Sequence, residues 1–386
     1  MNLGRMRACT VVAVALVFVA PGLLMVQGVR AETVSWTIAI YVNGDNDLEA
    51  NWDDDSLPML MDIPANSDLN LVAAVDRYSE EGCDLVEITE GSSQVVASYP
   101  EKNFGDGATL QWFITQMNTL YPSDNLAVVI WDHGGGWKWV SWDEGDDDDI
   151  YMPELYSAIA NAGVYIDILA FDACNMAMIE VIYEVSLTGN VGHFVASEEY
   201  VPLEGYPYDL QLTPLALDTS RTPAQVAVDM VDGYETFYAP LSYTEVTLSA
   251  VDVTEITNSF STIDTWTDEM LEHMSQYKKY YAAALRNSYD AWGTSKYVDM
   301  ADLGDNLLAQ SKITDTGLRT AISDMVTLVD DAVLACYGHA AKAADARGVT
   351  MWWATRGEFS WYGEQYEEDV SFGTDTSWLA FLDAYN

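Results

Sequence analysis

The chain has 386 residues, 49% of them hydrophobic, which allows one large or two modest domains around a sizeable core. Sixteen Lys and Arg stand against 61 Asp and Glu, for a formal charge of −45 at pH 7. Such a surface repels nucleic acid and anionic lipid, excludes both as partners and favours cationic ones, although the same acidity also serves solubility in high salt.

Residues 1–31 read as a signal peptide. Arg5 and Arg7 make a basic start, residues 10–20 are almost wholly apolar, and Val29-Arg30-Ala31 resembles a signal-peptidase site, with cleavage expected after Ala31. An uncleaved anchor is the alternative, because apolar character resumes at Leu23. Removal would take away Arg5, Arg7 and Arg30 and no acid, moving the charge from −45 to −48. No later run approaches membrane-spanning length, so an exported protein without stable membrane insertion is expected.

Residues 34–42, rich in Val, Ile, Trp and Tyr, predict a strand. It ends in Asn43-Gly44-Asp45-Asn46-Asp47-Leu48-Glu49, which can cap a following helix. The same Asp/Asn cluster has Ca²⁺ ligands but lacks the full twelve-residue loop pattern. Strands follow at 70–75 and 84–89, with 94–98 closing a hairpin. Leu110, Phe113, Ile114, Met117 and Leu120 recur at helical spacing. The apolar run 126–131 then leads into Asp132-His133-Gly134-Gly135-Gly136-Trp137.

The acidic run 143–149 has the character of a solvated loop. Its Asp146, Asp147, Asp148 and Asp149 are also candidate oxygen ligands for Ca²⁺. A helix over 152–161 precedes a second buried strand, 166–171, which ends in Asp172-Ala173-Cys174-Asn175. Residues 175–184 predict a helix and 191–196 another strand, followed by the loop 197–207. A helix at 222–238 and a strand at 245–253 come next. Residues 254–342 look mainly helical, broken near 290–297, and 348–354 looks like a return to the sheet. A short amphipathic helix closes the chain.

This alternation predicts an α/β fold, a mainly parallel sheet flanked by helices. The expected divisions are a core over 32–253 and, over 254–386, an appended, mostly helical region whose last strand and helix pack back on the core. His133 and Cys174 then stand at the carboxyl ends of two buried strands, where open α/β sheets bind ligands. Without the leader the chain keeps Cys83, Cys174 and Cys336, an odd number, so a free thiol or an intermolecular bridge is implied. Cys83 and Cys336 are buried thiols or a pair. Cys174 sits where a strand turns into a helix, and the amide dipoles there and a nearby His would favour a thiolate. The amides of Gly134 and Cys174 are candidate donors to an oxyanion. On these residues alone, a buried cysteine and a histidine in a tight turn remain a bland alternative. No serine-hydrolase elbow, zinc-protease helix, phosphate loop or Cys-x-x-Cys pair competes.

Several blocks together resemble the clostripain family of cysteine peptidases, which share a caspase-like fold with gingipains and legumains. They are residues 41–49, 126–137 around His133, 169–180 around Cys174, 196–206, 297–303 and 377–382. The resemblance implies a Cys174 nucleophile, a His133 partner and cleavage after Arg, or Lys, of peptide or protein substrates, without a cofactor for the chemistry. It implies that Asp172, two residues before the nucleophile, recognises the basic side chain; a cap for the Cys174 turn is its structural alternative. Glu198, Glu199 or Glu204 is a candidate second acid. Some family members mature by cleavage at a basic site between His and Cys, and some need Ca²⁺. Here only Lys138 is basic between His133 and Cys174. The rival readings are a catalytically silent secreted binding protein on the same fold and an acidic Ca²⁺-binding surface protein.

Overall fold

The computed structural model describes residues 33–291 and 297–386; the expected signal peptide lies outside the described residues. In chain order the strands are β1 (Val34–Gly44), β2 (Leu69–Arg77), β3 (Glu80–Thr89), β4 (Ser92–Tyr99), β5 (Ser123–Trp131), β6 (Val140–Asp143) and β7 (Asp148–Ile150). They continue with β8 (Ile166–Asp172), β9 (Val191–Ala196), β10 (Thr247–Asp252), β11 (Asp290–Ala291), β12 (Tyr297–Asp299), β13 (Val333–Gly338) and β14 (Thr350–Trp352). The central sheet runs β13-β10-β9-β8-β5-β1-β2-β3-β4. Its middle, from β9 to β2, is parallel. The outer pairs are antiparallel. The expected mainly parallel α/β sheet is present.

β1 explains why these residues make a central strand. Trp36, Ile38, Ile40 and Val42 enter the apolar layer that includes Leu212 and Val226 of helices Tyr208–Leu217 and Pro223–Tyr238. Ala39 and Tyr41 enter the opposite layer, with Phe113, Leu155 and Ile182 of helices Gly107–Leu120, Met152–Ala162 and Ile179–Leu187. Alternate side chains point to opposite faces, so a strand covered on both sides needs apolar residues almost throughout. Each large side chain so buried contributes roughly 1.5–3 kcal/mol. Buried polar residues of β1 are paired: Thr37 donates to the Tyr121 carbonyl at 2.9 Å and Asn43 Nδ2 to Ser141 Oγ at 3.2 Å.

Two expectations for the last third of the chain are corrected. Residues 348–354 do not rejoin the central sheet; β14 pairs antiparallel with β12, which pairs with β11. The strand that does rejoin it is β13, which pairs with β10 inside the stretch expected to be helical. β13 follows directly on the helix Thr316–Ala332. Its short apolar run has no period of its own, so a partner distant in sequence decides its conformation. The region after residue 253 packs against the core. One apolar cluster joins Ile179 and Val181 to Trp266, Leu318, Trp352 and Trp378.

The three cysteines among the described residues are free thiols. Cys83 on β3 and Cys336 on β13 lie toward opposite margins of the sheet, so they do not pair. No helix among the described residues is long and apolar enough to cross a membrane.

The chain leaves β1 toward β2 on one side and later sets β5 on the other. The crevice beyond the carboxyl ends of β1 and β5 is therefore a topological switch point, the usual ligand position in such sheets.

Candidate active site

A cleft of about 270 Å³ lies at that point, walled by the ends of four adjacent strands. Leu48 and Asn51 follow β1; Trp131, Asp132 and His133 close β5; Asp172, Ala173 and Cys174 close β8; Tyr200, Val201, Pro202, Leu203 and Gly205 follow β9. Trp131 and Asp172 are register partners. His133 and Cys174 thus stand equally far beyond one rung of the sheet, and both line the cleft.

The turn after β1 holds the histidine. Asn46 donates through Nδ2 to Asp132 Oδ1 at 2.7 Å and to the Trp142 carbonyl at 2.8 Å, while its Oδ1 accepts from Leu48 N–H. This fixes Asp47, whose Oδ1 lies 2.8 Å from His133 Nε2. The expected capping role is not seen: the helix that follows, Glu49–Asn51, has Leu48 at its N-cap and no side-chain cap. A carboxylate at Nε2 makes that nitrogen the N–H donor, which leaves Nδ1 as the basic one. The Asp47 side chain is 75% exposed, so water screens this pair.

Cys174 departs from expectation in its backbone. The first helix beyond it is Ile179–Leu187, so no helix begins at residue 175 and no helix terminus points at the sulfur. Asn175 takes a left-handed conformation (φ 60°), which Asn tolerates better than most residues. Its N–H donates to the Glu199 carbonyl at 3.0 Å and its Nδ2 to the Glu198 carbonyl at 2.8 Å. These bonds occupy the segment in ties to the loop after β9 instead of helical turns. Burial, with the Asp172 and Asp132 carboxyls adding to it, pushes the Cys174 thiol up to about 11 despite a contact to the Val201 carbonyl at 3.9 Å. The shift favours the thiol over the thiolate at rest.

Gly134 presses on the same segment. A Cβ there would stand 2.5 Å from the Cys174 carbonyl oxygen and 3.1 Å from its nitrogen, so only glycine fits. His133 C=O and Gly135 N–H are bonded to Ser141 and Trp139, as flanks of the bridge between Gly134 and Val140. In that antiparallel register the Gly134 N–H points away from Val140.

Asp172 is a buried carboxylic acid at the floor of the cleft. Its Oδ2 accepts from Tyr206 N–H at 3.0 Å and Tyr208 O–H at 2.9 Å. Burial outweighs these bonds and pushes it up to about 7. Gly205 (φ 66°) leaves it uncovered: a Cβ there would sit 3.0 Å from Asp172 Oδ2.

The other candidate acids are not gathered here. Glu198 is buried, with Oε1 accepting from Gly348 N–H at 2.7 Å. Glu199 is buried and accepts from Tyr289 O–H at 2.7 Å. Glu204 accepts from Tyr243 O–H at 2.7 Å and 3.0 Å. None of the three lines the cleft, because the loop after β9 turns its backbone toward Cys174 and sends these side chains elsewhere.

The acidic run 143–149 is the turn and second strand of a β6–β7 hairpin. Asp146 caps Asp143 Oδ1 through its N–H, Asp147 is left-handed at φ 54°, and Asp148 accepts from Asn103 Nδ2 at 2.7 Å. Asp149 is pushed up to about 6 by burial. These four carboxylates do not converge on one point, because successive residues of a hairpin point in different directions. Among the described residues, the groups close enough to hold a metal are Asp45, Asp76 and Glu101, and Glu269, His273 and Asp315.

Asp47, Tyr206, Tyr208 and Asn175 are the participants that sequence reasoning missed. Asp47 and Asn175 lay inside the quoted motifs but had no legible partner, while the two tyrosines become meaningful only beside Asp172.

The family model described as Clostripain family, Peptidase C11, matches residues 40–385. The chain belongs to the clostripain family. Clostripain of Hathewaya histolytica is 29% identical over a match covering 45% of this chain and 40% of that protein, so the chain spans well under half of that relative. A secreted C11 cysteine protease from Bacteroides thetaiotaomicron, solved with an irreversible peptide inhibitor, superposes with a TM-score of 0.68 at 20% identity, covering 89% of this chain and 99% of that one. An inactive zymogen C11 protease from Parabacteroides distasonis gives 0.70 at 18% identity, over 89% and 99%. At such identities the likeness is one of fold.

Proposed function

We propose that the chain is an exported cysteine endopeptidase that cleaves after Arg or Lys through a thioester on Cys174. The observation that carries this reading is a buried, uncovered carboxyl, Asp172, on the floor of the cleft that His133 and Cys174 line.

Because the resting sulfur is a thiol, attack needs a base. His133 Nδ1 takes the Sγ proton as sulfur adds to the scissile carbonyl, and the oxyanion is met by the Gly134 and Cys174 amides. Collapse expels the amine, which takes the proton back from His133, and leaves the acyl group on sulfur. Water, deprotonated by His133, then releases the acid and the thiol. Asp172, ionised by the arriving cation, pairs with the substrate's basic side chain. Two donors already occupy its Oδ2, so a bidentate fork on both oxygens is disfavoured, and Lys is accepted as well as Arg. Membership in the clostripain family and the exported character read from residues 1–31 support the same reading.

Lys138 Nζ lies 4.2 Å from the Tyr362 ring centroid, packed over it instead of presented on a loop. This packing supports an enzyme that works as one chain, uncut between His133 and Cys174.

The test is a panel of fluorogenic peptides ending in Arg, Lys, Asp or Leu, together with a thiol-alkylating probe. Cleavage of the Arg and Lys peptides and labelling of Cys174 are expected. No cleavage of any peptide, with Cys174 unlabelled, would overturn the proposal.

Asp47 acts here as a positioning residue for His133. Its exposure limits its weight, so Asp47→Ala is expected to lower kcat roughly 3- to 10-fold, far less than loss of a buried partner would. KM and Tm should stay unchanged. A fall in Tm alongside kcat would mean that Asp47 serves the turn and not the histidine.

A further inference from the structure

We propose that Asp45, Asp76 and Glu101 form a binding site for a hard divalent cation of the Ca²⁺ type, outside the cleft and on the far side of the turn that holds His133. One carboxylate oxygen from each lies within 4.8 Å of the others. Ca²⁺–oxygen distances of about 2.4 Å put opposed ligands about 5 Å apart, so one ion can touch all three without rearrangement of the chain. The donor set is entirely carboxylate oxygen, which suits Ca²⁺, Mg²⁺ or Mn²⁺ and not zinc or copper.

A second observation points to a ligand. Asp76 is fully buried; its Oδ1 accepts from Arg77 N–H at 3.0 Å, but its Oδ2 has no hydrogen-bond partner. A buried carboxylate oxygen without a partner is costly, and a cation relieves it. The neighbouring basic groups are engaged elsewhere. Arg77 directs both guanidinium nitrogens to Asp53, at 2.6 Å and 2.8 Å, and Lys102 Nζ lies over the Trp112 ring. Glu101 accepts from Gly82 N–H through Oε2 and from Lys102 N–H at 3.3 Å through Oε1. Asp143, also beside the site, is held by the N–H groups of Phe104 and Asp146. Burial first, then the facing Glu101 and Asp143, push Asp76 up to about 8. Burial, then Asp143 and Glu101, push Asp45 up to about 6. Unneutralised, Asp76 would hold its proton at neutral pH; a divalent cation lets it ionise.

The site lies where it would matter. Asp45 accepts from Glu144 N–H at 2.8 Å through its carbonyl, and its chain neighbour Asn46 holds Asp132 and the Trp142 carbonyl. A cation here ties the turn after β1 to β2 and to the segment after β4, and the Asp45 carbonyl in turn holds the tip of the β6–β7 hairpin through Glu144 N–H. Of the four aspartates expected to bind Ca²⁺, only Asp146 lines the surface hollow that Asp45 and Glu101 also line.

The experiment uses the full chain, stripped with EDTA and dialysed free of it, with Tm measured before and after millimolar CaCl2 or MgCl2. At about a hundredfold excess over Kd, Ca²⁺ should raise Tm by about 4 °C. Asp76→Asn and Glu101→Gln should each remove the rise, whereas Asp148→Asn and Asp149→Asn should keep it. Glu101 is exposed, so its variant decides the matter even if the buried substitution fails to fold. A wild-type Tm indifferent to Ca²⁺ would overturn the proposal, as would a rise that survives Glu101→Gln.

Discussion

Cys174→Ala is expected to abolish peptide hydrolysis, with kcat falling about 10⁴-fold or more, while the fold survives. The side chain is small and only partly buried, and its one polar contact, to the Val201 carbonyl at 3.9 Å, is weak. Tm should therefore change little. His133→Ala should cost nearly as much, and the double variant no more than either, because the two act in one proton transfer. The wild-type thiol offers a further check. With the group pushed up to about 11, its alkylation rate should keep rising as pH increases through and beyond neutrality. A plateau already reached at neutral pH would mean a preformed thiolate and imidazolium pair, and the general-base step would have to be abandoned.

Asp172→Asn is expected to lower kcat/KM for Arg and Lys substrates by roughly 10²- to 10³-fold, the cost of leaving a desolvated cation without its partner. The amide can still accept from Tyr206 and Tyr208, so the floor of the cleft should hold. Removing a carboxyl that raises the Cys174 thiol should also leave alkylation as fast as before, or faster. The pH dependence follows from the direction of the shift. Asp172 sits at about 7 in the free protein, so below that pH it carries a proton and cannot attract a cation. For basic substrates kcat/KM should fall as pH drops through about 7, in addition to any limb from the histidine. The Leu substrate, and the variant with any substrate, should lack that component. Equal loss of basic substrates and of thiol labelling in Asp172→Asn would instead assign the residue to the architecture of the turn.

The two cases differ in how far the amino-acid sequence reached. His133 and Cys174 were legible because each follows a buried apolar run, and a strand buried on both faces must be apolar and must end at a sheet edge. Asp172 was legible only through the family resemblance. Its environment comes from Tyr206 and Tyr208, more than thirty residues away, and no periodicity announces such a contact. Glu198, Glu199 and Glu204 were reasonable by position, since their loop does wall the cleft. Yet their carboxyls are taken up by Gly348, Tyr289 and Tyr243. Backbone and side chains of one loop serve different neighbours there, and only contacts distant in the chain show which.

By itself, the amino-acid sequence determined the strands of the central sheet and most of the helices through residue 253, though not the β6–β7 hairpin or the helix Tyr208–Leu217, together with the edge at which His133 and Cys174 emerge and the acidity of the surface. These follow from local pattern and composition, which act within a few residues. The tertiary structure alone decided that β13 and not β14 returns to the central sheet, since a short apolar run is shaped by its partner. It decided that Cys174 precedes a left-handed Asn175 tied to Glu198 and Glu199, so that no helix terminus points at the thiol. It also gathered Asp45, Asp76 and Glu101 from three separate segments while spreading the contiguous aspartates of the hairpin. Charge neighbours in sequence point apart along a strand, and a cation answers to carboxylates that converge in space.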